Sequence, residues 1–165
     1  MTIGYDPKLT TPKNLAKVIT DLGYKVEEIE VPKTEAEAKK LKPVKAPLPK
    51  DAPKFLRDAF DKARAANQPL VVDFWAKWCA PCLQLKKVTF HDPKVAKLLD
   101  KVQLVFVDLD KYPALGTAFG VASVPDVFLI DRKGMIVDRL HNFVPPTDFL
   151  VRLRRLLGEQ GNDSP

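Results

Sequence analysis

At 165 residues, with 45% apolar and 29% charged side chains, the chain is long enough for one globular domain of ordinary size plus an appendage. It contains no run of about 18 or more apolar residues, so no membrane insertion is expected, and MTIGYDPKLTT has neither the basic start nor the apolar middle of a secretory signal. The net charge of +6 is not a nucleic-acid signature, because most of it lies between Pro32 and Lys50, where Lys33, Lys39, Lys40, Lys42, Lys45 and Lys50 outnumber Glu35 and Glu37. The expected compartment is the cytoplasm for the chain as written, or the periplasm or another extracytoplasmic space if an upstream segment precedes it.

Residues 1–31 predict a small β-α-β segment. TIGY and KVEEIEV are the strands, and Thr11 with Pro12 opens a helix bearing Leu15, Val18, Ile19 and Leu22 on one face. Units below about 40 residues seldom offset their chain entropy alone. The apolar stripe is therefore expected to dock, on the rest of the chain or on a second copy in a homodimer. Residues 32–50 read as a Pro/Lys-rich linker.

Residues 51–158 carry a regular pattern. Pro53 opens an amphipathic helix with Phe55, Leu56, Ala59, Phe60 and Ala63, and PLVVDFWA is a buried strand. A helix starts at the cysteines and is expected to reach about Val88, after which Asp92 and Pro93 cap a short helix through Leu99. VQLVFVDLD is a strand, Tyr112–Phe119 a helix stopped by Gly120, and PDVFLID and MIVDRLH are strands joined by the turn Asp131-Arg132-Lys133-Gly134. Thr147–Leu157 closes the domain as a helix ended by Gly158, and 159–165 reads as a disordered tail. Parallel strands with helical crossovers, followed by an antiparallel hairpin, give an α/β fold with a mixed central sheet and helices on both faces.

The only two cysteines of the chain, Cys79 and Cys82, stand in VVDFWAKWCAPC. Cys79 is expected where a strand ends and a helix begins, facing unpaired backbone N–H groups and the positive end of the helix dipole. Both favour the thiolate, the form that attacks disulfides, so Cys79 is the candidate nucleophile. Cys82, one turn on, is the candidate resolving thiol, and Pro81 suits a first helical turn. The same spacing also suits a soft ion, so a copper-binding or delivery module is the alternative. Structural zinc normally takes four ligands, and His91 and His141 stand alone, so no metal or cofactor is expected. Asp73 lies among Val71, Val72, Phe74 and Trp75, where burial would raise its pKa. It is either a satisfied core carboxylate or a proton acceptor for Cys82, and strand alternation alone does not decide.

DFWAKWCAPC, the later strand ending in VDLD, and GVASVPDVFLID before a glycine hairpin together resemble the thioredoxin superfamily over about Ala52–Leu157. KKVTFHDPKVAKLL further resembles the thioredoxin-like domain that ends the membrane disulfide reductase of the bacterial periplasm. The resemblance implies a thioredoxin-like fold and a thiol-disulfide oxidoreductase that reduces protein disulfides. It implies that Asp73 is the buried proton shuttle and that Trp78, Ala80 and Pro81 border the substrate. It further implies that Pro125 is a cis-proline facing the cysteines, with the Val124 backbone open to an extended substrate strand. The implied partners are disulfide-containing proteins and an upstream dithiol reductase, either thioredoxin reductase or a membrane disulfide reductase. Two positions depart from the family pattern: Phe106 stands where thioredoxins commonly carry a lysine near the buried aspartate, and Ala-Pro replaces Gly-Pro between the cysteines. The N-terminal segment resembles the second half of a heavy-metal-associated domain, without the half that carries the metal cysteines.

Overall fold

The computed structural model describes residues 43–159. The expected β-α-β segment 1–31, the first part of the linker and all of the tail but Glu159 lie outside the described residues. The elements are β1 (Val44–Lys45), α1 (Lys54–Ala65), β2 (Leu70–Trp75), α2 (Ala80–Gln84) continuing into a π-helical segment (Leu85–Phe90), α3 (Pro93–Leu99), β3 (Gln103–Asp108), α4 (Pro113–Phe119), β4 (Asp126–Ile130), β5 (Met135–His141) and α5 (Pro146–Leu157). From α1 onward this is the expected order.

The local signals act as their chemistry requires. The Asp92 carboxylate accepts from the Lys94 and Val95 amides, while Pro93 fills the first turn of α3. Gly120 and Gly158, at φ of 65° and 76°, end α4 and α5 in the left-handed conformation that glycine adopts at little steric cost. In the β4–β5 turn, Asp131 Oδ1 accepts from the Lys133 and Met135 amides.

The sheet order is β1-β5-β4-β2-β3. β2 runs parallel to β3 and antiparallel to β4, with Asp73 opposite Phe106 on one side and Val127 on the other. Alternation along β2 then divides the core. Leu70, Val72 and Phe74 pack with Leu56 and Ala63 of α1 and Leu115 and Phe119 of α4. Val71, on the other face, packs with Leu85 and Phe90 of the π-helical segment, Val95 and Leu98 of α3, and Phe149, Leu153 and Leu156 of α5. Asp73 shares this second face.

Two expectations need correction. The linker does not run to residue 50, because β1 pairs antiparallel with Met135–Ile136, the Ala46 amide donates to the Gly134 carbonyl, and Ala46 and Ala52 are buried in the first core layer. Prolines 43, 47 and 49 bracket this pairing and limit it to two residues, so the stretch carries no strand periodicity. The helix after the cysteines ends at Phe90, not at about Val88, and its second half is widened to π-helical winding.

The second layer sets a test of stability. Phe149 is fully buried and its ring centroid lies 5.3 Å from that of Phe90, whereas Val151 on the outer side of α5 is 50% exposed. Phe149→Ala is expected to lower the unfolding free energy by about 3–5 kcal/mol, and Val151→Ala by less than about 0.5 kcal/mol. Guanidinium denaturation of the two variants checks the difference.

Candidate active site

β2 ends at Trp75, Ala76 is buried, and Lys77 and Trp78 turn outward before the helix. Cys79 is the helix N-cap, in an extended conformation, and its Sγ accepts from the Cys82 amide at 3.1 Å. The two cysteines form a disulfide. Cys79 retains 2% exposure and Cys82 none, so both cysteines are buried, the first at the edge beside the exposed Trp78 and Ala80. Pro81 sits in the first turn as expected, and Ala80 and Pro81 are exposed on the rim.

The Val124–Pro125 peptide is cis, and Val124 packs with Trp75 against the cluster of Ala76, Cys79 and Cys82. Trp78 is 74% exposed, yet its indole N–H donates to Asp110 Oδ1 at 3.0 Å. Asp110 is held in turn, because its own amide donates to Asp108 Oδ1 at 3.0 Å. A large apolar ring is thus presented to solvent in a fixed orientation. The predicted residues Cys79, Cys82 and Val124 meet directly, with Trp75 packed against the same cluster, Trp78, Ala80 and Pro81 form the exposed rim, and Asp73 lies behind them inside the sheet.

Asp73 is fully buried, and neither carboxylate oxygen has a hydrogen-bond partner among the described residues. Burial pushes its pKa up from the usual 3.8 to about 7; the positive charge of Lys86 opposes the rise and the negative charge of Asp126 adds to it. The carboxyl therefore changes charge near neutrality, as a proton acceptor needs to.

Sequence reading missed two charged groups here. Lys86, on the π-helical segment, places its Nζ 3.2 Å from the Trp75 ring centroid and 4.4 Å from that of Phe106. Burial lowers its pKa, while Asp73 and Asp108 act to hold it up. The available signal was its spacing of four residues from Cys82, which puts both on one helical face. The second is Asp126, fully buried directly after Pro125 and bound by the Arg139 guanidinium at 2.9 Å, with His141 Nδ1 at 3.3 Å. Arg139 also donates to the Gly120 carbonyl at 2.8 Å, which ties the loop before Pro125 to β5.

A thioredoxin-like domain model matches residues 56–157. A thioredoxin from Griffithsia pacifica is 36% identical over 95 residues, spanning 56% of this chain and 82% of that protein. The thiol:disulfide interchange protein DsbD of Vibrio vulnificus strain CMCP6 is 34% identical over 100 residues, which span 57% of this chain and 17% of that protein. Among solved structures, the oxidised C-terminal domain of Neisseria meningitidis DsbD is similar with a TM-score of 0.55 at 26% identity, covering 62% of this chain and 93% of that one. A Thermus thermophilus thioredoxin gives a TM-score of 0.56 at 25% identity, covering 64% and 85%. With the mixed sheet, the Cys79–Cys82 disulfide and the family match all lying in one domain, the chain belongs to the thioredoxin-like family of thiol-disulfide oxidoreductases.

Proposed function

We propose that the chain reduces protein disulfides through its Cys79–Cys82 dithiol, with Cys79 attacking, Cys82 resolving and Asp73 accepting the resolving proton. The observation that carries this reading is Cys79 at a helix N-cap, bonded to a fully buried Cys82 on the sheet face that holds an unpaired carboxyl. In the first step the Cys79 thiolate attacks one sulfur of the substrate disulfide, forming a mixed disulfide and releasing the other sulfur as a thiolate. In the second, Cys82 gives its proton to Asp73 and attacks Cys79 Sγ. The electron pair of the mixed disulfide leaves with the second substrate sulfur, so the substrate gains two electrons and the enzyme is left oxidised.

The surroundings supply orientation. Val124 beside the sulfurs offers backbone groups to an extended substrate strand, and Trp78, Ala80 and Pro81 form a rim against which that strand can lie. Each turnover leaves Cys79–Cys82 oxidised, so a partner dithiol must return two electrons. Thioredoxin reductase or a membrane disulfide reductase fits that requirement.

Insulin reduction with dithiothreitol as electron source tests the reading. Cys79→Ser should fall to the uncatalysed rate, and Cys82→Ser should accumulate the mixed disulfide, detectable by mass. A wild-type protein that gives no rate above background, or that holds one Cu(I) per chain tightly without turnover, overturns it.

Asp73→Asn should slow resolution at neutral pH by roughly 100-fold while affecting Cys79 attack much less, as stopped-flow traces of the two phases would reveal. Wild-type resolution should accelerate as pH rises through about 7, where Asp73 becomes the ionised acceptor, and the variant should lack that rise. Stability carries the opposite sign. A carboxyl whose folded pKa is raised from 3.8 to about 7 contributes its full stability below the lower value and loses it as pH climbs through the higher one. Asp73→Asn should therefore gain on wild type between those values, reaching about 2–4 kcal/mol above neutrality. Denaturation of the oxidised proteins at pH 4 and pH 8 measures the difference.

A further inference from the structure

The carboxyl on which resolution depends has no cation beside it on β3. The residue across the parallel pairing from Asp73 is Phe106, and both Asp73 oxygens lack a hydrogen-bond donor among the described residues. The positive charge comes from another element. Lys86 reaches back from the helix that carries the cysteines and sets its Nζ over two rings, Trp75 at the end of β2 and Phe106 on β3. These rings flank Asp73 along the strand and across it. An ammonium held over ring faces is fixed by the ring quadrupoles and is partly desolvated, so its field is screened less than that of a fully solvated lysine. It makes no direct salt bridge among the described residues, which leaves the carboxyl free to take and return a proton.

We infer that Lys86, held over the Trp75 and Phe106 rings, is a positioning residue that supplies the positive charge facing Asp73 while Cys82 resolves the mixed disulfide. The inference rests on the reading of Asp73 as proton acceptor and adds the group that tunes it. The other charged or titratable groups around Asp73 are Asp126 of β4, with Arg139 and His141 of β5 beyond it, Asp108 at the end of β3, and the two cysteine thiols of the reduced protein. Arg139 is bound to the Asp126 carboxylate, and Asp108 accepts the Asp110 amide, so Lys86 is the cation in this group that is not joined to a carboxylate. The ionised form of Asp73 gains from that charge and the protonated form does not. Removing it should keep the carboxyl protonated to higher pH and delay proton transfer from Cys82.

Lys86→Met preserves the apolar stem and deletes the charge. The alkaline rise in the resolution rate is expected to move up by about one pH unit. At pH 7 resolution should then fall about fivefold and recover by about pH 9. Lys86→Arg should keep the wild-type profile, and Lys87→Met, at an exposed neighbouring site, should leave it unmoved. The side-chain carboxyl carbon shift of Asp73, followed by NMR in the oxidised protein, gives the same titration without turnover and should move in the same direction. In the Asp73→Asn background, Lys86→Met should change the resolution profile no further.

A Lys86→Met protein whose Asp73 titration is unmoved overturns the inference, as does one that slows the Asp73→Asn protein as much as it slows wild type. Loss of insulin reduction in the wild-type protein would instead sink the parent reading. The carboxyl titration distinguishes the two failures, because it is measured whether or not the protein turns over.

Discussion

A carboxyl with no hydrogen-bond donor inside an apolar sheet is a severe constraint, and the arrangement around Asp73 is shaped by it. An isolated ionised carboxylate in such a place is far less stable than the neutral acid, so the group stays protonated to about pH 7. That requires dry surroundings. β2 lies between β3 and β4, and Val71, two residues earlier on the same face, packs against Leu85 of the helix that begins at the cysteines. The same burial that raises the proton affinity of Asp73 also hides Cys82, which lies one helical turn beyond Cys79 at the helix N-cap.

Charge near the dithiol is distributed over three elements. Asp126 directly follows Pro125, and its neutralisation by Arg139 lets a second buried carboxylate sit on β4 beside β2. Arg139 lies with its guanidinium 4.5 Å from the Phe128 ring centroid and also reaches the Gly120 carbonyl, so one side chain joins β5, β4 and the loop leading to Val124. This network is compact and saturated. Lys86, by contrast, is held by rings, and an ammonium over aromatic faces keeps its charge while the carboxyl it influences changes state. The two cations therefore contribute differently, Arg139 to geometry and Lys86 to the field.

The β2 strand, the cysteine junction, the caps at Asp92 and Gly120 and the β4–β5 turn were all legible in the sequence, because each depends on residues a few positions apart. The burial of Asp73 was legible from its apolar neighbours. The strand Val44–Lys45 was not, since two residues among prolines show no period and their order comes from pairing with Met135 and Ile136 about ninety residues away. Nor could helical spacing show that Lys86 meets Phe106; that contact exists only once β2 and β3 are in register. Arg139 was invisible for a similar reason. Its partner Asp126 sits thirteen residues earlier, and a shift in the β4–β5 register between Leu129 and Ile130 decides which side chains face each other.

Both tryptophans of the chain lie at the dithiol: Trp75 packs against the cysteine cluster, and Trp78 is fixed in solvent by Asp110. No indole elsewhere contributes background emission. A disulfide accepts electrons from an excited indole and a dithiol does so far less, so the intrinsic fluorescence of this protein is a built-in optical record of its redox state. The two indoles divide that record by environment, Trp75 reporting from beneath the Lys86 ammonium and Trp78 from water, where an arriving polypeptide would displace its hydration and shift its emission to shorter wavelength.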